Sequence, residues 1–259
     1  MGERQGNKRS AIIFGARNLG RAVIETLVAD GWAVAGVARS QATLDGVREA
    51  GALALEADVT DPASVHAALE EAASAHGGID LAVNAASAYG GDRSGPFGGG
   101  PIVEADPGAF DAWAAAPARA AFSFLSASGR FALAQGRAAT LIQVTGGSAR
   151  RAMPSRGLWA AGSFGVKAIT NAAALELRPH GIQVTLLIVD AGIQPLTGAA
   201  RPGVAPAALA DPHQIADAVR FLANQGARAA THELQLTPSP KTGRPDVDPS
   251  NPKVWRSEP

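Results

Sequence analysis

Short apolar runs alternate along this chain with longer segments in which apolar residues recur at helical spacing. The first run, residues 11–14, leads into Gly15, and from Leu19 the apolar positions follow a helical stripe. Gly31 ends that helix, and a second apolar run follows at 33–38. A strand, a glycine turn, a helix and a strand within about thirty residues predict a βαβ unit.

The same alternation continues to residue 236. Further strands are predicted at 52–55, 79–84, 139–145, 183–189 and 233–236, and further helices at 41–50, 61–76, 106–134, 158–177 and 211–224. Pro117 is expected to interrupt the helix over 106–134. We therefore predict an α/β fold, a single Rossmann-type domain over residues 1–236 with a doubly wound parallel sheet of about seven strands.

Residues 237–259 differ from the rest in composition. They contain six prolines and almost no apolar side chains, so they predict an extended C-terminal tail outside the core. Trp255 either anchors this tail on a neighbouring subunit or belongs to a loose terminus, and the sequence leaves both interpretations open.

The overall charge is balanced, with 23 basic and 23 acidic side chains. This balance provides no general attraction to nucleic acid or membranes. The chain has no cysteine, which excludes disulfides and cysteine metal sites and fits a reducing compartment. The polar N-terminus does not resemble a signal peptide, and no apolar run approaches the ~20 residues of a membrane span. We expect a cytoplasmic protein with no nucleic-acid or membrane partner and assign no metal ligands.

Two loops are candidates for ligand binding. The glycine turn after the first strand directs backbone N–H groups and a helix N-terminus at one point, which favours a phosphate. Residues 85–101 form a long glycine-rich loop after the fourth strand. Because open α/β sheets bind ligands beyond the carboxyl ends of their strands, this loop is either a ligand lid or an ordinary surface loop.

Four motifs in order resemble those of the short-chain dehydrogenase/reductase family over roughly residues 10–236. Residues 14–20, FGARNLG, are similar to TGxxxGxG shortened by one residue and without its middle glycine. Asp58-Val59 is similar to the Asp-Val pair that contacts adenine, residues 84–87 to NNAG, and Ala191-Gly192 to the PG after strand six. Each match alone is weak, and their order and spacing carry the resemblance.

The resemblance implies a dinucleotide site. Its residues would be Gly15, Arg17, Asn18, Leu19, Gly20, Arg39, Asp58, Val59, Asn84, Ala85, Ala86, Gly192 and Ile193. NAD-binding relatives place a carboxylate at the end of the second strand, where this chain has Ala38. Arg39 follows it and Arg17 lies in the glycine turn, and guanidinium groups suit a 2′-phosphate. NADP(H) is therefore favoured over NAD(H).

The family's catalytic tetrad is the weakest part of the match. Its Asn, Ser, Tyr and Lys align here with Pro117, Gly146, Trp159 and Ser163. Glycine and proline have no side-chain donor, and an indole N–H does not titrate usefully. Groups that could substitute are Tyr89, Thr145, Ser148, Arg150, Arg151, Lys167 and Asp190.

Three functions follow from these observations. The first is an NADP(H)-dependent oxidoreductase acting on a small molecule through a rebuilt or degenerate site. The second is a non-catalytic dinucleotide-binding sensor, scaffold or partner of an active homologue, that is, a pseudoenzyme. The third is a non-redox enzyme in which Trp159 stacks on a substrate ring. Alanine-rich faces at 112–121 and 160–174 and the family habit predict a homodimer or homotetramer.

Overall fold

The structure, a computed structural model, describes residues 8–89, 95–197 and 206–239. Seven strands form one parallel sheet: β1 Ser10–Phe14, β2 Ala33–Ala38, β3 Leu53–Glu56, β4 Leu81–Asn84, β5 Ala139–Gly146, β6 Ile182–Val189 and β7 Glu233–Leu236. Their order is β3-β2-β1-β4-β5-β6-β7, and every pair is parallel. The predicted doubly wound sheet is confirmed. Most of the predicted tail lies outside the described residues.

Helices cover both faces of this sheet. They are α1 Leu19–Ala29, α2 Gln41–Glu49, α3 Pro62–His76, α4 Pro107–Phe110, α5 Ala116–Ala134, α6 Gly157–Leu177 and α7 Pro212–Ala223. The side chains of Asp61, Asp106 and Asp211 each accept a hydrogen bond from a backbone N–H at the start of the helix that follows. No helix within the described ranges is long and apolar enough to cross a bilayer.

The core has two halves because successive strand residues point to opposite faces. In β1, Ile12 and Phe14 pack on the side of α3 and α5, whereas Ala11 and Ile13 pack on the side of α1 and α7. All four side chains are fully buried. Burial on both faces explains why residues 11–14 of β1 are all apolar.

The predicted interruption at Pro117 is wrong. The chain stays helical from α4 through a π-helical turn, Asp111–Ala115, into α5, where Pro117 is the second residue. A wider turn just before a proline relieves the clash of its ring with the preceding turn. α6 approaches this turn closely, since a Cβ on Gly162 would lie 2.5 Å from the Trp113 carbonyl oxygen.

The direction of strand order reverses between β1 and β4, which are neighbours in the sheet. At such a switch point the loops leaving the two strands diverge to opposite faces and open a crevice at the carboxyl ends. The functional cleft is therefore expected above Phe14 and Asn84, the last residues of these two strands.

Candidate functional site

A cavity of about 1580 Å³ lies at this switch point. Most of the residues expected to hold the dinucleotide line it: Gly15, Arg17, Asn18, Leu19, Arg39, Asp58, Val59, Ala85, Ala86, Gly192 and Ile193. Asn84 instead lines a smaller adjoining cavity of about 210 Å³. Gly20 lines neither cavity and lies behind the turn.

Two glycines close the turn after β1. Gly15 has φ +84°, a left-handed conformation, and a Cβ there would overlap the backbone of Ala86. A Cβ on Gly20 would overlap the carbonyl of Gly15. The backbone N–H groups of Gly15 and Ala16 both donate to the Val37 carbonyl oxygen. Close backbone packing thus fixes this turn, although it is one residue shorter than the similar motif TGxxxGxG.

Asn18 connects this turn to the segment after β6. Its Nδ2 donates to the Gln194 carbonyl oxygen at 3.0 Å, and its Oδ1 accepts from the Leu196 N–H at 2.8 Å. Asn18 is the N-cap residue of α1 but makes no side-chain cap hydrogen bond. The first N–H groups of α1 therefore have no side-chain cap, as in helix N-termini that accept a phosphate.

An ion pair lies where β2 and β3 end at the cleft. Arg39 Nη1 is 3.2 Å from Asp58 Oδ2, and Asp58 Oδ1 accepts from both the N–H and the hydroxyl of Thr60. Partial burial raises the pKa of Asp58, but the Thr60 donors and the Arg39 guanidinium outweigh it and lower the pKa below its usual value. Arg17 is exposed on the same cavity wall.

Asn84 acts beneath the cleft rather than within it. Its buried side chain donates to Gln143 Oε1 at 3.0 Å and accepts from the Ala86 N–H at 3.1 Å. These bonds join the ends of β4 and β5 and orient the loop that passes behind Gly15. Asn84 thus positions Ala85 and Ala86 along the cavity wall.

The four positions aligned with the catalytic tetrad converge in space. Pro117, Gly146, Trp159 and Ser163 all line the smaller cavity. The indole lies over the end of β5, with Trp159 Cζ2 3.4 Å from the point that a Gly146 Cβ would occupy. Ser163 is buried and its hydroxyl donates to the Trp159 carbonyl oxygen at 3.0 Å, inside the helix.

Tyr89 reaches the same place from the loop after β4. Trp159 Nε1 donates to Tyr89 Oη at 2.8 Å. The Tyr89 ring lies 5.1 Å from the ring of Trp113, and Phe97 contacts both tryptophans at 5.0 and 4.8 Å between centroids. These four side chains form an aromatic cluster, of which Tyr89, Phe97 and Trp159 line the larger cavity. Phe97 and Trp113 were missed from sequence, because neither matches a motif of the family.

The other candidate side chains are mostly engaged in ion pairs. Lys167, considered as a substitute for the family lysine, instead binds Glu233 Oε2 at 2.7 Å and lines neither cavity. Arg150 binds the same carboxylate. Arg151 pairs with the nearly buried Asp190 at 3.3 Å on the cleft wall.

Two hydroxyls remain near the end of β5. Thr145 lines the smaller cavity, and the nearly buried Ser148 lines the larger one. Two further arginines that no motif indicated, Arg119 and Arg156, line the larger cavity as well. Among the residues that the structure describes, no three His, Asp or Glu side chains form a metal-binding cluster.

Comparison with known proteins decides the family. A family model described as short chain dehydrogenase matches residues 9–194. The chain belongs to the short-chain dehydrogenase family. It is 31% identical over 186 residues to a sorbitol dehydrogenase from Cereibacter sphaeroides, covering 69% of this chain and 68% of that relative. It is 28% identical over 196 residues to an L-xylulose reductase from Bos taurus, covering 74% and 75%.

Solved structures agree. A 3-ketoacyl-(acyl-carrier-protein) reductase from Brucella melitensis, complexed with NADH, gives a TM-score of 0.76 at 25% identity over 91% of this chain and 99% of that one. A metagenomic short-chain oxidoreductase in complex with NADP gives 0.70 at 24% identity, covering 90% and 98%, and shows the same fold. The protein is thus a member of an oxidoreductase family that uses nicotinamide dinucleotides.

Proposed function

We propose that this short-chain dehydrogenase is an NADP(H)-dependent oxidoreductase whose catalytic site is degenerate and supports little of the family's standard turnover. The observation that carries the proposal is the convergence of Pro117, Gly146, Trp159 and Ser163 on one cavity beside the dinucleotide cleft. Most of the residues expected to hold the cofactor line the adjoining larger cavity, whereas these four positions offer no titratable proton donor.

The residues present fit a dinucleotide. The turn at Gly15 and the uncapped start of α1 would hold the pyrophosphate, and Asp58 and Val59 would contact the adenine. Ala85 and Ala86 would lie along a ribose, and Gly192 and Ile193 beside the nicotinamide.

Two arginines favour NADP(H) over NAD(H). Ala38 ends β2 where NAD-binding relatives have a carboxylate, so no acidic side chain at that position repels a 2′-phosphate. Asp58 holds the Arg39 guanidinium through one nitrogen. Since a guanidinium has five N–H donors, Arg39 keeps donors for a phosphate, and Arg17 is a second cation that lines the same cavity.

A bound nicotinamide would supply or accept the hydride. The chain's own residues orient the substrate and exclude water from it, which alone supplies part of the rate enhancement. A positioned acid–base group ordinarily contributes about 10²–10⁴-fold, so loss of the standard group predicts turnover lower by that factor.

Isothermal titration with NADPH and NADH tests the cofactor proposal. We expect NADPH to bind, and Arg39→Ala to weaken it about tenfold or more, because a hydrogen bond to a charged group contributes about 1.5–3 kcal/mol. NADH affinity should change little. Arg130→Ala, an exposed arginine on α5 that lines neither cavity, is the matched control. Absence of NADPH binding would refute the proposal.

A second function, a non-catalytic dinucleotide sensor or scaffold, is favoured by one observation. Ser163 is bonded within its helix and Lys167 is bonded to β7, so neither presents a cation or a donor at the tetrad positions. Copurification with an active homologous subunit, with no oxidation of NADPH by any carbonyl, would support this function over the first.

A homodimer or homotetramer and a cytoplasmic location stay predictions. Part of the alanine-rich surface that motivated the oligomer is buried within one chain, at Ala112, Ala120, Ala121 and Ala160. Phe122 on α5 and Phe164 on α6 are exposed at 55% and 45% and are better placed for a subunit contact. Light scattering would test the state directly.

A further inference from the structure

We infer that Tyr89 is the proton donor of this site and that Trp159 is the residue that positions it and stabilises its phenolate. This inference rests on the proposed function, because it assigns the acid that the tetrad positions lack. It depends on the hydrogen bond between the two side chains and on the place where that bond lies.

The direction of this hydrogen bond suits a role of Tyr89 as proton donor. Trp159 Nε1 can only donate, so at 2.8 Å the phenolic oxygen of Tyr89 is the acceptor. The Tyr89 hydroxyl proton is therefore directed to another partner. A fixed N–H donor at the oxygen also becomes stronger when that oxygen carries a negative charge.

This hydrogen bond lies at the smaller cavity, which the four positions aligned with the tetrad also line. Tyr89 and Trp159 line both the larger cavity and the smaller one, together with Gly146 at the end of β5. A ligand carbonyl that enters beside the expected nicotinamide contacts, Gly192 and Ile193, would meet this wall. The chain contains one tyrosine, so no second phenol competes for the role.

Ring packing fixes the Tyr89 side chain. Its ring lies 5.1 Å from that of Trp113, which is 5% exposed and belongs to the π-helical turn. Phe97 packs edge-on against Trp113 and Trp159. An acid held between rigid aromatic neighbours loses little conformational freedom on binding substrate.

Reduction of a carbonyl requires a proton at its oxygen. When a carbonyl carbon accepts a hydride from reduced nicotinamide, negative charge develops on its oxygen. Tyr89 donates its phenolic proton there: its O–H bond breaks and the O–H bond of the product alcohol forms. The remaining phenolate is stabilised by the Trp159 N–H, and water returns the proton through the open cleft.

The charged groups that share this cleft do not replace Tyr89. Asp190 is held by Arg151. Among the described residues, the charged side chains that line this cavity are Asp58, Asp111, Asp190, Arg17, Arg39, Arg119, Arg151 and Arg156. Trp159→Phe changes none of these charges, so a comparison of variants isolates the effect of the indole N–H.

The single tyrosine makes the first test direct. Tyrosinate absorbance is followed against pH in the wild type and in Trp159→Phe, with Tyr89→Phe as the blank. Trp159→Phe keeps an aromatic ring but removes the donor, so the midpoint should move upward by about one pH unit or more. Trp113→Phe is the control, because it removes a neighbouring indole whose ring packs on Tyr89. It should shift the midpoint of the Tyr89 titration much less. A midpoint that Trp159→Phe does not move, or moves downward, overturns the inference.

The second test is turnover with NADPH and para-nitrobenzaldehyde. Tyr89→Phe should reduce the rate about tenfold or more and leave the NADPH dissociation constant unchanged. An unchanged rate overturns the role of Tyr89. A wild type that binds NADPH but does not turn over this aldehyde would count against Tyr89 as the proton donor, whatever the tyrosinate titration shows about its hydrogen bond with Trp159. Absence of NADPH binding would instead refute the proposed function. The titration of Tyr89 needs no cofactor, so its outcome does not depend on NADPH binding.

Discussion

Asn18 offers the most direct test of how the shortened glycine turn is stabilised. Replacing Asn18 with alanine removes two hydrogen bonds, from its Nδ2 to the Gln194 carbonyl oxygen and from the Leu196 N–H to its Oδ1. The backbone bond from the Gln194 N–H to the Ala210 carbonyl oxygen remains. The segment after β6 should therefore stay in place but open more easily.

The magnitude follows from the exposure of the two bonds. A hydrogen bond in a protein contributes about 0.5–1.5 kcal/mol, and the bond to Gln194 is exposed and belongs at the low end. The bond from Leu196 is partly buried and belongs near the middle, at about 1 kcal/mol. The free energy of unfolding should fall by about 1.5 kcal/mol, and protection of the Leu196 amide by about five- to tenfold.

Hydrogen exchange at the Leu196 amide, with urea denaturation beside it, measures both quantities. Asn18→Asp keeps the acceptor for Leu196 and loses the donor, so it should protect that amide better than Asn18→Ala does. Asn224→Ala, which loses a surface bond from Arg9 far from the cleft, is the control. If the Leu196 amide exchanges equally fast in the wild type and in Asn18→Ala, the two hydrogen bonds of Asn18 do not stabilise this segment, and the prediction is refuted.

Three further predictions concern packing, pH and a discarded candidate. Gly162→Ala should lower the free energy of unfolding by about 1–3 kcal/mol in urea, because its Cβ would collide with the Trp113 carbonyl oxygen; an unchanged midpoint would refute the close approach. The pKa of Asp58 is lowered in the fold, so its contribution to stability is present above the ordinary aspartate value of about 3.9 and is lost as the pH falls through the lowered value. Urea denaturation should accordingly show that Asp58→Asn destabilises at neutral pH and that the difference shrinks in acid. Lys167→Ala should leave the NADPH dissociation constant unchanged in titration calorimetry and cost no more than about 1 kcal/mol, because its partner is Glu233 on β7; a weakened cofactor would place Lys167 in the site.

Burial and turn chemistry made most of the fold predictable. A strand such as β6, covered on both faces, is apolar apart from Gln183 and Thr185, and its bounds can be predicted from sequence to within a residue. The Asp-Pro starts of α3 and α7 are equally clear, because the carboxylate caps the helix and proline suits its first turn. Both signals are local, so no knowledge of the tertiary structure was needed.

The prediction at Pro117 failed for a tertiary reason. A proline in a helical segment predicts a break, since its ring clashes with the previous turn. The π-helical turn Asp111–Ala115 removes that clash, and Gly162 on α6 packs against its carbonyls. Contacts between residues so far apart in sequence are invisible to a local pattern.

The candidate site likewise contains residues that the sequence predicts and residues that only the fold brings together. Gly15 and Asp58 follow motifs that leave a trace in the sequence, and the structure places both on one cavity. The aromatic cluster leaves no such trace, because Phe97 and Trp113 come from a loop and a helix that the fold brings together. The pairing of Lys167 with Glu233 was hidden for the same reason, since β7 lies far along the chain.

The four positions that align with the family's tetrad line one cavity, so the side chain at one of them limits the side chains at the others. Trp159 Cζ2 lies 3.4 Å from the point that a Cβ on Gly146 would occupy, so a methyl group there would be in van der Waals contact with the indole. A serine at position 146 would therefore be limited to rotamers that direct its hydroxyl away from the ring. The indole in turn directs its N–H to Tyr89, which lies across the cavity. Trp159 therefore restricts the side chain that position 146 can hold and binds a phenol from the facing loop, so we propose that these positions act as one coupled arrangement.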